Sequence, residues 1–142
     1  MATVAFCPTT DSTSPLKDTV TLKQNPFVLS APTGDIRWIA HVCSQLAHTR
    51  EPLVLVFLGE TSVHAPAIGF SRKSLHRPAV AYILVDPVMP QVGGEYGDWP
   101  DAPVTVVITD AAGPNAKEAS MQSRLRGWTV TNEPLQNVLA DY

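Results

Sequence analysis

The chain reads as one α/β domain spanning residues 1–142, built on a mostly parallel sheet of about four to six strands flanked by helices. Three observations predict this class. Residues 53–58, LVLVFL, form an unbroken apolar run of the kind found in a strand buried on both faces of a parallel sheet. Residues 79–85 and 104–108 make two further strands, the second dominated by β-branched side chains. Helical periodicity occupies 35–48 and 115–125. A length of 142 residues allows a real core but limits the molecule to one sheet and a few helices.

Taken in order, residues 3–7 suit a short strand, and 8–16 are rich in Thr, Ser, Asp and Pro and read as loop. Val20, Leu22 and residues 27–29 leave the next section between short strand and extended loop, since Pro26 and Pro32 oppose a long element. Residues 1–34 are therefore expected to be an irregular or rebuilt N-terminal part. From 35 to 48, Ile36, Ile39, Val42, Cys43 and Leu46 recur at helical spacing and would face the sheet, with Asp35 as N-cap or first-turn acid. After the central strand, Gly59 permits a sharp turn, and 61–70 returns to a helix-compatible pattern.

Residues 71–78 carry the basic patch Arg72, Lys73, His76 and Arg77, read as a solvated helix end or as an anchor for an anionic group. Asp86-Pro87 turns the chain after the 79–85 strand, and the Pro- and Gly-rich stretch 88–103 reads as a long loop. In the helix at 115–125, Ala116, Ala119, Met121 and Leu125 are the candidate core contacts. Gly127 stops this helix before a short strand at 128–131, and 134–142 suit a final helical turn or two.

Composition excludes several classes of function. A formal charge of −3 with no basic run leaves no footprint for nucleic acid. No apolar stretch is long enough to span a bilayer, and the first residues lack the basic start and apolar length of a signal peptide, so a cytoplasmic protein is expected. In that compartment Cys7 and Cys43 are expected to be free thiols, pairing only if the fold brings them together. His41 and His48 lie seven residues apart and have no metal-ligand spacing, and no metal or cofactor is expected. Charged residues make up only 16% of the chain, a composition compatible with self-association.

The stretch 52–69, PLVLVFLGETSVHAPAIG, resembles the nucleophile elbow of the α/β-hydrolase family, in the small-molecule branch of bacterial secondary metabolism. Set on that pattern, Val56 matches its valine, Gly59 falls where the nucleophilic serine stands, and Pro66-Ala67-Ile68-Gly69 keeps the following helix. Tyr82 to Asp86, Trp99 to Pro103 and Arg126 to Val130 resemble later strands and loops of that branch in the usual order, so the similarity covers roughly 35–141. It implies a truncated α/β-hydrolase-like fold that has lost early strands. It also implies lost chemistry: glycine cannot attack a carbonyl, and the histidines at 41, 48, 64 and 76 all precede the position near the C-terminus where the family places its base.

What the elbow retains is a pocket. Glu60, Asp35 and Asp86 are the candidate acid or base groups, and Phe57, Leu58, Gly59, Thr61, Ser62 and Asp110 the candidate substrate contacts. Each has an ordinary structural role beside the functional one: Phe57 and Leu58 as core, Ser62 as a cap, the acids as caps or first-turn charges. The leading expectation is a non-hydrolytic isomerase, epimerase or cyclase acting on a small natural-product intermediate. The first alternative is a ligand-binding or accessory protein of a biosynthetic pathway, and the second a hydrolase with a displaced nucleophile such as Ser62 or Cys7. A homodimer is expected, because lost strands leave an edge that needs cover, and a biosynthetic protein partner is a further option.

Overall fold

The structure, a computed structural model, describes residues 3–7, 27–28, 43, 46–47, 52–89, 99–109 and 116–140; of Thr3, Phe6, Cys7, Phe27, Val28 and Glu60 it describes the backbone alone. The strands are β1 (Thr3–Cys7), β2 (Phe27–Val28), β3 (Leu53–Leu58), β4 (Ala81–Val85), β5 (Val104–Val107) and β6 (Thr129–Thr131). They form one six-stranded sheet in the order β2-β1-β3-β4-β5-β6, and every neighbouring pair is parallel.

The central strand explains its own sequence. β3 pairs with β1 on one side, Val56 opposite Phe6, and with β4 on the other, Val56 opposite Ile83. Successive side chains leave a strand on opposite faces. Leu53, Leu55 and Phe57 accordingly join Tyr82, Leu84, Val104 and Val106 in one core layer with Leu46, Ala65 and Ile68. Val54, Val56 and Leu58 join Val4, Ile83 and Val85 in a second layer, covered by Leu135 and Leu139. All six β3 side chains are buried, each contributing roughly 1.5–3 kcal/mol by leaving water.

After β3 the chain makes a 3-10 segment, Gly59–His64, and runs straight into helix α1, Ala65–Ser74. The α-helix thus extends past the expected end at residue 70. Pro66 sits in its first turn, where a missing N–H is harmless. Ala65, Ile68, Gly69 and Arg72 form the buried stripe at i, i+3, i+4 and i+7. His76 closes the helix in the left-handed region, φ 58°, with its N–H donating to the Lys73 carbonyl and that of Arg77 to the Arg72 carbonyl. Helix α2, Ala116–Leu125, ends with the same paired bonds, this time around Gly127 at φ 80°. The short α3, Leu135–Leu139, seals the second core layer.

Cys43 and Leu46 are helical, as the 35–48 pattern requires, and Leu46 is buried; the rest of that stretch, Asp35 included, lies outside the described residues. Met121 and Leu125, expected as core contacts of α2, are instead 58% and 81% exposed, and the helix packs through Ala119 and Ser123. The solvated basic patch also needs correction, because Arg72 is buried. Its guanidinium donates to the Leu46 carbonyl at 3.2 Å, and Arg77 reaches the Ala47 carbonyl at 3.5 Å. Both cations therefore meet carbonyls where the preceding helix ends, the end that favours positive charge.

Candidate functional site

The chain passes from β1 outward to β2, returns to the other side of β1 to form β3, and then adds β4, β5 and β6 in succession. Connections therefore diverge between β1 and β3. In open parallel sheets this switch point opens a crevice beyond the carboxyl ends of the strands, where ligands bind. Here those ends are Cys7 and Phe57, paired in register, followed on β3 by Leu58 and the Gly59 turn.

Gly59 stands at φ 57°, and a Cβ built on it would touch nothing within 4 Å. Backbone conformation, and not lack of room, therefore selects glycine there. Thr61 fixes the turn from below. Its hydroxyl donates to the Leu58 carbonyl at 2.8 Å and accepts the Leu58 N–H at 3.2 Å, so this fully buried side chain is committed to the backbone. The Gly59 carbonyl accepts the N–H of Val88 at 3.2 Å, which ties the turn to the segment leaving β4.

The expected site residues are distributed unevenly around this edge. Glu60 lies in the 3-10 segment directly after Gly59. Phe57 and Leu58 are buried in opposite core layers, where they pack between sheet and helices. Ser62 is wholly buried, and its hydroxyl has no hydrogen-bond partner. Asp86 follows β4 at φ 45°, its carboxylate accepting the Thr109 N–H at 2.8 Å through Oδ1 and the Thr109 hydroxyl through Oδ2. These two bonds join the exits of β4 and β5 and occupy both carboxylate oxygens. Asp110, like Asp35, lies outside the described residues.

A second polar cluster escaped the sequence reading. Toward the start of β4, the Tyr82 hydroxyl donates to Asp101 Oδ1 at 2.6 Å. Burial, reinforced by the Asp101 carboxylate, pushes the phenol well above its ordinary value of 10.0. Trp99 packs edge-on to Tyr82, with ring centres 5.3 Å apart, and edge-on to Trp128 at 5.6 Å. Tyr82 inside a buried apolar strand was the available signal, since a buried phenol needs a partner. Arg72 was signalled too, by its place one helical repeat beyond Ala65 and Ile68.

The architecture and its switch-point edge define a doubly wound, all-parallel α/β protein. Comparison with protein-family models, curated proteins and solved structures gives no significant match. Among the described residues no helix is long and apolar enough to cross a membrane, and no three His, Cys, Asp or Glu side chains are grouped to hold a metal ion.

Proposed function

We propose that this protein binds a small organic molecule at the β1/β3 switch point and does not hydrolyse it. The observation that supports the reading is the strand order, which puts a switch point beside the Gly59 turn, the place where open parallel sheets bind ligands. The side-chain chemistry supports binding over turnover. Thr61 and Asp86, two polar groups near this edge, are already engaged by Leu58 and Thr109. Gly59 offers no nucleophile.

A second reading, a non-hydrolytic isomerase, epimerase or cyclase, is favoured by the place of Glu60 immediately after the turn. There it would move a proton on a bound acyl or cyclisable substrate. Self-association as a homodimer belongs to the same proposal. Leu75 and Val80, just beyond α1, are 54% and 45% exposed, and a partner subunit would cover them. A biosynthetic protein partner is the other candidate cover.

Amide chemical-shift mapping with a library of small acyl and aromatic compounds tests the principal reading. Binders should perturb residues 57–61 and the end of β1, while a p-nitrophenyl ester remains uncleaved. Perturbations confined to other surfaces, or rapid ester cleavage, would overturn it. Once a ligand is known, conversion of that ligand by the wild type and its loss in Glu60→Gln would promote the enzymatic reading.

A further inference from the structure

Three of the five serines on the described helical segments allow an internal comparison. Ser74 donates its hydroxyl to the Phe70 carbonyl, four residues back, at 2.9 Å. Ser123, wholly buried in α2, does the same to the Ala119 carbonyl at 2.6 Å. This is the ordinary local solution for a helical hydroxyl, at the surface in Ser74 and away from water in Ser123. Ser62 is equally buried yet lacks that bond.

The carbonyls behind it along the chain each accept another bond. The Leu58 carbonyl, four residues back, takes the Thr61 hydroxyl at 2.8 Å, and the Gly59 carbonyl, three residues back, takes the Val88 N–H at 3.2 Å. The turn after β3 thus holds a dry hydroxyl without a hydrogen-bond partner. A buried donor left this way opposes folding and is ordinarily selected against unless another state of the protein uses it.

We infer that the Ser62 hydroxyl is a ligand contact, donating to an acceptor oxygen, a carboxylate or an acyl carbonyl, of a molecule bound at the switch point. The inference rests on the binding role proposed above and specifies the chemical class of the ligand. Ser62 has no exposed surface, so a ligand reaches it by shifting what covers the turn.

Titration of the isotope-labelled protein with benzoate and benzamide, which carry an acceptor oxygen, and with benzylamine, which does not, tests the inference alongside Ser62→Ala. In the wild type, benzoate or benzamide should shift the amides of residues 59–62 and benzylamine should not. Ser62→Ala should weaken that binding roughly fivefold, the effect of one hydrogen bond, while melting no lower than the wild type. Equal affinity in the two proteins would overturn the role of Ser62 and leave the switch-point site standing. A clearly lower melting temperature for Ser62→Ala would also overturn it, by showing the hydroxyl bonded in the resting protein. If none of the probes shifts residues 59–62, the binding site itself fails, and Ser62 with it.

Discussion

The Tyr82 hydroxyl donates to Asp101 Oδ1 at 2.6 Å, linking the buried middle of the sheet to the segment that enters β5. The bond fixes a phenol among apolar neighbours and gives the carboxylate its donor there, while Asp101 Oδ2 is buried without a partner. Tyr82→Phe removes the donor and leaves both carboxylate oxygens uncompensated. Urea denaturation at neutral pH should show a loss of about 1–3 kcal/mol.

The same pair gives stability an alkaline limit. The folded-state pKa of Tyr82 lies above its unfolded value, so its contribution is complete below the ordinary value of 10.0 and declines as pH rises beyond it. Above that pH the unfolded chain releases a proton that the folded chain keeps. The difference in stability between wild type and Tyr82→Phe should shrink by about 1.4 kcal/mol per pH unit there, measured by denaturation over a pH series. A difference independent of pH would contradict the assignment.

Gly69 is required by close approach. A Cβ at this position would lie 2.7 Å from Trp99 Cδ1 and 2.9 Å from Trp99 Nε1, and nearer still to the Tyr82 hydroxyl. Gly69→Ala gains helix propensity yet should destabilise by about 1–3 kcal/mol, because α1 must back away from the sheet. Combined with Tyr82→Phe, which removes the nearest atom, part of that penalty should be relieved in a double-mutant cycle.

Gly59 is a different case, since its surroundings are open and only φ is constrained. Gly59→Ala should lose about 1–2 kcal/mol in thermal or urea denaturation, and Gly59→Asn less, because asparagine tolerates the left-handed region. Gly59→Ser restores a hydroxyl at the turn without a late histidine to take its proton. Its p-nitrophenyl acetate hydrolysis should stay at the wild-type background.

The two arginines of the 71–78 patch should separate in their effects. Arg72→Met removes a buried charged donor from the Leu46 carbonyl and should destabilise by about 2 kcal/mol. Arg77→Ala loses a longer contact at the surface and should change stability by less than about 1 kcal/mol. Denaturation curves of the two variants, with and without phosphate, also test an anion-anchoring role for the patch. Stabilisation of the wild type by phosphate that disappears in Arg77→Ala would restore that role.

Much of the fold was legible because its strands are short, apolar and bounded by clear breakers. The span 3–7 is β1 as expected, 53–58 is β3, and Gly127 stops α2 where its backbone freedom is used. The strand ends at 79–80, 108 and 128 shrank by one or two residues, as fraying edges do. Strand order was not readable, because placing β1 between β2 and β3 depends on pairings across tens of residues. At the turn, the glycine and the bend were visible in the residues. The partners of Thr61 and Asp86 were not, since Thr61 bonds backbone and the bonds to Asp86 come from Thr109 on another strand's exit.

Trp99 and Trp128 are two of the chain's three tryptophans, and they stand edge to face between Tyr82 and the guanidinium of Arg126, which lies 5.0 Å from the Trp128 ring centre. Light emitted by this pair will report the β4–β6 flank of the sheet and be nearly blind to the β1–β2 side. With the third, Trp38, replaced by Phe, a melt followed by fluorescence that precedes or trails one followed by backbone dichroism would reveal the two flanks opening separately.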